Sequence, residues 1–319
     1  MQFRELFLDS VPWKRQVLQI GARVPPGLRN SLMTRGLSAL ARRSGDNREV
    51  ETNMGIDRSL RCMLPLDKGS WIFGLPDDYV GERGALELLA VLGRGADAVL
   101  DIGAHVGYYS YFLAKRLPVT VSIYYFEPDP TLFNIIDKNV RSNGLDNVIG
   151  FNEAVGATSR VSLFYQNLTD TFSGSLERTF VDMHVTAEIP VQVRSFDDFA
   201  RSVDKRNMCV KVDIEGAEQQ FADGARNECW RIADLVIEVL RPAHSAGFVQ
   251  QFMQTTGMYA YHINDYLLQQ STDGTCAPNP QQYNWLFTRK TRHELDAVLA
   301  HEAGHLSEPP FGKSAAPAA

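Results

Sequence analysis

Val99-Leu100-Asp101-Ile102-Gly103-Ala104-His105-Val106-Gly107-Tyr108 is the stretch on which the reading of this chain turns. Residues 98–102 form an apolar run ending beside an acid. A glycine loop follows, and residues 107–116 carry the spacing of a helix. Strand, glycine loop and helix in that order open an α/β unit, and in open α/β sheets ligands sit in the crevice at the carboxyl ends of the strands. Gly103 lets the backbone approach a ligand closely, and Gly107 lets the helix begin against it. The glycines are spaced GxxxG. The GxGxxG spacing of dinucleotide-binding sheets places a pyrophosphate at the helix N-terminus, so this loop suits a ligand without a phosphate.

Working outward, the β-branched and aromatic run 121–126 predicts a second strand and 130–142 a second helix, stopped at Asn143-Gly144. A third short strand is expected at 148–151. An irregular insertion follows, with edge strands at 161–164 and 189–193 flanking a Ser/Thr-rich loop that folds over the site at 169–175. Ser195 reads as an N-cap with Asp197 and Asp198 in the first turn. Strands at 208–214, 235–240 and 259–263 alternate with helices at 217–222 and 247–255, and 283–288 returns as a sheet edge. The expected fold is α/β: a mostly parallel seven-stranded sheet with helices on both faces. Residues 79–290 would form the main domain and 50–78 a β-hairpin lead-in made of 59–64 and 71–75. Residues 1–49 read as a helical basic extension, and 291–319 as a C-terminal helix with a disordered tail.

The second strand ends in Phe126-Glu127-Pro128-Asp129. A carboxylate there can accept hydrogen bonds from both hydroxyls of a ribose; the competing reading is that Glu127 caps the helix beginning near Pro130. The fourth core strand ends in Lys211-Val212-Asp213-Ile214-Glu215-Gly216-Ala217-Glu218. These blocks, with the glycine loop running on through Tyr109 and Ser110, Asn139 in the second helix, and Ser195-Phe196-Asp197, resemble the FkbM family of S-adenosylmethionine-dependent methyltransferases over roughly residues 79–289. His105 departs from the asparagine usual in that family, yet still offers a hydrogen-bond donor. The resemblance implies the Rossmann-like class I methyltransferase fold and S-adenosyl-L-methionine as cofactor. Gly103 and Gly107 would flank its methionine part, Glu127 would hold the ribose, and Asn152, Glu153 and Ala154 would lie near the adenine. Asp101, Ala104, His105, Tyr108 and Pro128 complete the expected cofactor contacts.

Methyl transfer is an in-line displacement on an already activated carbon, so the protein mainly supplies alignment and a base for the acceptor. Asp213 and Glu215 are the candidate bases, because neighbouring carboxylates can raise one another's pKa. Period-two alternation puts Lys211 on the same side as Asp213, where it can pair with a carboxylate or orient an oxygen. His244 is the candidate histidine, and His262, Asn264 and Asp265 are candidates for the acceptor pocket. The plainer reading of the 215–218 acids is a favourable helix entry. The resemblance further implies O-methylation of a hydroxyl on a sugar, glycolipid or polyketide-like natural product. Two other readings stand beside it: a non-catalytic cofactor-binding scaffold, against which Asp213, Glu215 and Lys211 weigh, and a nicotinamide-dependent oxidoreductase, which the GxxxG spacing disfavours.

The 319 residues carry a formal net charge of −6, against a broad nucleic-acid surface. The N-terminal end differs: Arg4, Lys14, Arg15, Arg23, Arg29, Arg35, Arg42 and Arg43 face only Glu5 and Asp9 within residues 1–45. With Phe3, Phe7 and Trp13 interleaved, this stretch is a candidate for weak contact with a membrane surface. Cys62, Cys209, Cys229 and Cys276 show no metal-ligand spacing, so no metal is expected. Cys209, inside an apolar run, reads as a small buried hydrophobe. A reducing, cytoplasmic setting fits, since no apolar run approaches membrane-span length and no signal peptide is evident.

Overall fold

The computed structural model describes residues 49–52, 54, 56, 57, 59–65, 83–166, 174–178, 187–240, 242–264, 267–275 and 283–303. The expectations for residues 1–45, 71–75, 169–173 and 304–319 lie outside them. Among the described residues no helix is long and apolar enough to cross a membrane.

The elements are β1 (Glu49–Thr52), β2 (Cys62–Pro65), α1 (Arg83–Gly93), β3 (Ala98–Ile102), α2 (Tyr108–Arg116), β4 (Ser122–Phe126), α3 (Pro130–Ser142), β5 (Val148–Phe151), β6 (Glu153–Val155), β7 (Arg160–Gln166), β8 (Ala187–Arg194), α4 (Phe196–Ser202), β9 (Met208–Val212), α5 (Glu218–Gly224), β10 (Ile232–Glu238), α6 (Pro242–Thr256), β11 (Tyr259–Asn264), β12 (Leu267–Ser271), β13 (Asn284–Thr288) and α7 (Arg292–Ala303). The main sheet runs β12-β11-β13-β10-β9-β3-β4-β5. Its β5-β4-β3-β9-β10 half is parallel, and the β10-β13-β11-β12 half is antiparallel. This is the mixed, mostly parallel α/β sheet expected, with two corrections. Among the described residues it has eight strands, because β12 turns back on β11 as a hairpin. The last strand, β13, is not an edge: it inserts between β10 and β11. Its Trp285, Leu286 and Phe287 are all buried, which an interior position with cover on both faces accommodates.

Alternation along the strands divides the core in two. Val99, Cys209, Val236 and Ile123 face the layer of α1, α2, α3 and α7, including Leu89, Phe112, Ile136 and Leu295. Leu100, Val210, Leu235 and Phe126 face α4, α5 and α6 through Phe199, Phe221 and Phe252. Helices therefore cover both faces. Cys209 is buried as expected, and burial pushes its thiol upward.

One further expectation changes. The insertion does not extend the main sheet. Instead β6 pairs parallel with β8, and β8 antiparallel with β7, in a separate three-stranded sheet. That sheet has its own small core of Ala154, Phe164, Val191 and Val193, leaving Val161 and Leu163 exposed. Among the described residues of the lead-in, β2 pairs antiparallel with the preceding β1. Two asparagines of α3 hold it down. Asn139 Oδ1 accepts from Met63 N at 2.8 Å and its Nδ2 donates to Met63 O at 3.2 Å. Asn143 does the same for Arg61, at 2.8 and 2.9 Å. Each side-chain amide stands in for one residue of a partner strand.

Candidate active site

Sheet register assembles the site. Ile102 lies opposite Phe126 on one side and Val212 on the other, and Val212 lies opposite Ile237. The next residue on each strand is therefore Gly103, Glu127, Asp213 or Glu238, and all four reach one crevice at the carboxyl edge. A cavity of about 320 Å³ opens there, within the size range of small-molecule sites.

The glycine loop is shaped as much by its neighbours as by any ligand. Gly103 has φ +82°, and a Cβ there would stand 1.8 Å from the Asp213 carbonyl oxygen. Asp213 N donates to Ile102 O at 3.0 Å, so the β3 and β9 exits are in backbone contact and only glycine fits between them. Gly107, the α2 N-cap at φ +84°, would put a Cβ 2.7 Å from the Tyr111 ring. His105, also left-handed at φ 53°, lines the cavity. Burial pushes its imidazole down to about 4, so it is neutral at physiological pH.

Glu127 is buried at the cavity wall and does not cap α3. That cap is Asp129, whose Oδ1 accepts from Thr131 N at 2.7 Å, with Pro130 starting the helix. Glu127 Oε1 accepts from Asp129 N at 2.9 Å and Oε2 from His105 N at 2.8 Å. Each oxygen spends one lone pair on an amide and keeps one for a ligand donor. Burial pushes the carboxyl up to about 8, with the two amides pulling the other way.

Opposite, Lys211 Nζ donates to Asp213 Oδ2 at 3.0 Å and lies 3.9 Å from Asp101 Oδ1. Its ammonium stands 4.7 Å from the centre of the Tyr109 ring. Alternation along β9 thus brings Lys211 and Asp213 together as expected. Glu215, at φ 53°, also lines the cavity. Glu218 points away from it: its carboxylate accepts from Gly216 N at 2.9 Å, and burial pushes it up to about 7.

Of the residues expected to touch a cofactor, Gly103, Ala104, His105, Tyr108, Glu127, Pro128, Glu153 and Ala154 line the cavity. Asp101, Gly107 and Asn152 are not part of its lining. Asp101 is completely buried behind it, accepting from Ser110 Oγ at 2.7 Å. Asn152 Nδ2 instead donates to the carbonyls of Glu127 and Pro128 at 2.8 and 3.1 Å, holding the loop that carries Glu127. Glu153 is clamped by Arg194 at 2.7 Å. Of the candidate catalytic residues, Lys211, Asp213 and Glu215 converge on the cavity, whereas His244 falls in the first turn of α6 and its side chain lies outside the described residues. His262 is buried against Trp285 on the β11–β13 pair, and its place is not in the cavity lining. The side chain of Asn264 and all of Asp265 lie outside the described residues.

Sequence reading missed Glu238, Phe164, Gln166 and Leu176 in the lining. Glu238 was detectable as the acid ending a core strand. The other three come from the insertion, whose Gln166 Nε2 donates to Asp129 Oδ2 at 2.7 Å. That bond fixes the inserted sheet to the start of α3, over the side of the cavity where Glu127 sits.

The model of the methyltransferase FkbM domain matches residues 101–270, more than half of the chain. The chain belongs to the FkbM methyltransferase family. Methyltransferase 1 of Beauveria bassiana (strain ARSEF 2860) is 26% identical to this FkbM chain over 156 residues, 44% of this chain and 62% of that protein. The match spans about three fifths of that relative's length. Among solved structures, the human methyltransferase 10 domain containing protein aligns with 80% of this chain and 95% of its own at 12% identity and TM-score 0.40. M. capricolum TrmK, in complex with S-adenosyl-homocysteine, aligns over 70% and 83% at 13% identity and TM-score 0.37.

Proposed function

We propose that this FkbM-family chain is an S-adenosylmethionine-dependent O-methyltransferase whose acceptor is a hydroxyl of a sugar, glycolipid or polyketide-like natural product. The observation that carries the reading is Glu127: a buried carboxyl at the cavity wall, each of its two oxygens accepting from one backbone amide. Those two acceptors suit the two hydroxyls of a ribose. The residues on either side fit the rest of the cofactor. Gly103, Ala104 and His105 would hold its methionine part. Glu153 and Ala154, beside apolar Leu132 and Val155, line the same wall of the cavity and would hold its adenine. The GxxxG spacing of Gly103 and Gly107, in place of GxGxxG, weighs against a dinucleotide.

The bound cofactor supplies a methyl group activated by a sulfonium. What the chain must add is an aligned acceptor and a proton sink. Asp213 stands at the cavity with one oxygen on Lys211 and its side chain 21% exposed; it takes the acceptor's hydroxyl proton as the oxygen attacks. Glu215 and Glu238 also line the cavity and would accept hydrogen bonds from further hydroxyls of a polyol. Incubating a cell extract with the protein and methyl-labelled S-adenosylmethionine, followed by mass spectrometry, tests the reading. A labelled product lost in Asp213→Asn supports it. Cofactor binding with no labelled product from a broad acceptor panel supports the scaffold alternative.

A further inference from the structure

Asp101 was expected to touch the cofactor, yet it lies wholly behind the cavity lining, and the structure gives it other work. Its Oδ2 accepts from Ser110 Oγ on α2. Its Oδ1 has no hydrogen-bond partner among the described residues and faces the Lys211 ammonium at 3.9 Å. Lys211 pairs with Asp101 in the β3–β9 register. It is itself 5% exposed, and the Tyr109 ring closes over it. One ammonium is thus bracketed by a buried carboxylate at the back and a half-buried one, Asp213, at the front.

The distances are unequal. At 3.0 Å the ammonium is hydrogen-bonded to Asp213, whereas at 3.9 Å it gives Asp101 only its charge. Burial pushes the Asp101 carboxyl above the ordinary range, with Lys211 pulling it back, so Asp101 competes weakly for the ammonium.

We infer that Lys211 is a positioning residue: its ammonium, balanced from behind by the buried Asp101 carboxyl, holds the Asp213 carboxylate directed into the cavity. Lys211 is then neither the base nor a ligand for the acceptor. The inference rests on the functional reading above for what Asp213 does, but not for how it is held. The other titratable groups near Asp213 are His105 from the loop after β3 and Glu218 from α5, which feel its charge, and Glu215 and Glu238, which share its cavity. His105 is neutral and the other three are acids. Lys211 is the cation among these groups, so its removal must show in the titration of Asp213.

The test is carbon-13 NMR of the full chain labelled at the aspartate carboxyls, the Asp213 signal being identified by its loss in Asp213→Asn. Lys211→Met alone strands Asp101 as a buried charge and risks unfolding. The deciding variant is therefore Lys211→Met combined with Asp101→Asn, which removes both charges together. Relative to Asp101→Asn alone, its Asp213 midpoint should rise by about 1 to 3 pH units, the effect of losing an opposite charge at this range. Asp101→Asn alone should leave the midpoint near that of the unmodified chain, and Lys211→Arg should restore it. An unchanged midpoint in the double variant overturns the inference, since packing alone would then explain Lys211. S-adenosylhomocysteine titrated into the same samples keeps the two claims apart. No binding by the unmodified chain overturns the functional reading, while the midpoints still decide the positioning role.

Discussion

Replacing Glu127 by Gln should make the protein less stable in acid and more stable in alkali. Burial raises the carboxyl from the ordinary 4.5 to about 8. A group whose pKa is raised by folding stabilises the folded chain most below its unfolded value, and that contribution is lost as pH climbs to the folded value. Between pH 4.5 and 8 the unfolded chain releases a proton that the folded chain keeps. At roughly 1.4 kcal/mol per pH unit the ionised group costs the fold about 5 kcal/mol above pH 8, and nothing below pH 4.5. Gln carries no such cost, but its NH2 must face the amide of either Asp129 or His105, stranding a buried donor for about 1–3 kcal/mol. Glu127→Gln should thus be less stable by about 1–3 kcal/mol at pH 4.5 and more stable by about 2–4 kcal/mol at pH 8.5. Urea unfolding at the two pH values reads both differences. A gap between variant and parent that does not vary with pH would refute the reasoning, because burial would not then be penalising this carboxylate.

Three other outcomes follow from the geometry. Gly103→Ala combines a left-handed backbone with a Cβ 1.8 Å from the Asp213 carbonyl; it should cost about 3 kcal/mol or more, read as a thermal midpoint lowered well below that of Gly95→Ala, where a Cβ meets open space. Asn139→Ala leaves both backbone groups of Met63 unpaired and should cost about 1–3 kcal/mol, with faster proteolytic cutting confined to residues 49–65. Deleting residues 1–45 should reduce sedimentation with anionic vesicles at low salt while leaving the far-ultraviolet circular dichroism of the remainder in place; unchanged vesicle binding would remove the proposed membrane contact.

The parts of the fold legible in sequence were those written in local pattern. The apolar run before Asp101, the Asn143-Gly144 stop and the Ser195 cap each announce an element within a few residues, and each appears: Ser195 Oγ accepts from Asp198 N at 3.1 Å. Glu127 and the Lys211–Asp213 pair were readable because the carboxyl ends of parallel strands must share an edge. What escaped depends on pairing over long separations. Nothing local says that Asn284–Thr288 slips between β10 and β11. Nor does anything local say that β6 leaves the main sheet to pair with β8, carrying Phe164 and Leu176 toward the cavity. Asp101 was misjudged for the same reason. A strand residue beside the glycine loop can point into the crevice or into the α2 layer, and only the packed Ser110 and Lys211 show which.

The most direct test is calorimetric titration of S-adenosylhomocysteine into the full chain, with NADH as the comparison ligand and Glu127→Ala as the comparison protein. Single-site binding of S-adenosylhomocysteine, lost or strongly weakened in Glu127→Ala and accompanied by no NADH binding, is the predicted result. Binding of NADH in place of S-adenosylhomocysteine, or S-adenosylhomocysteine binding indifferent to the loss of Glu127, would contradict it.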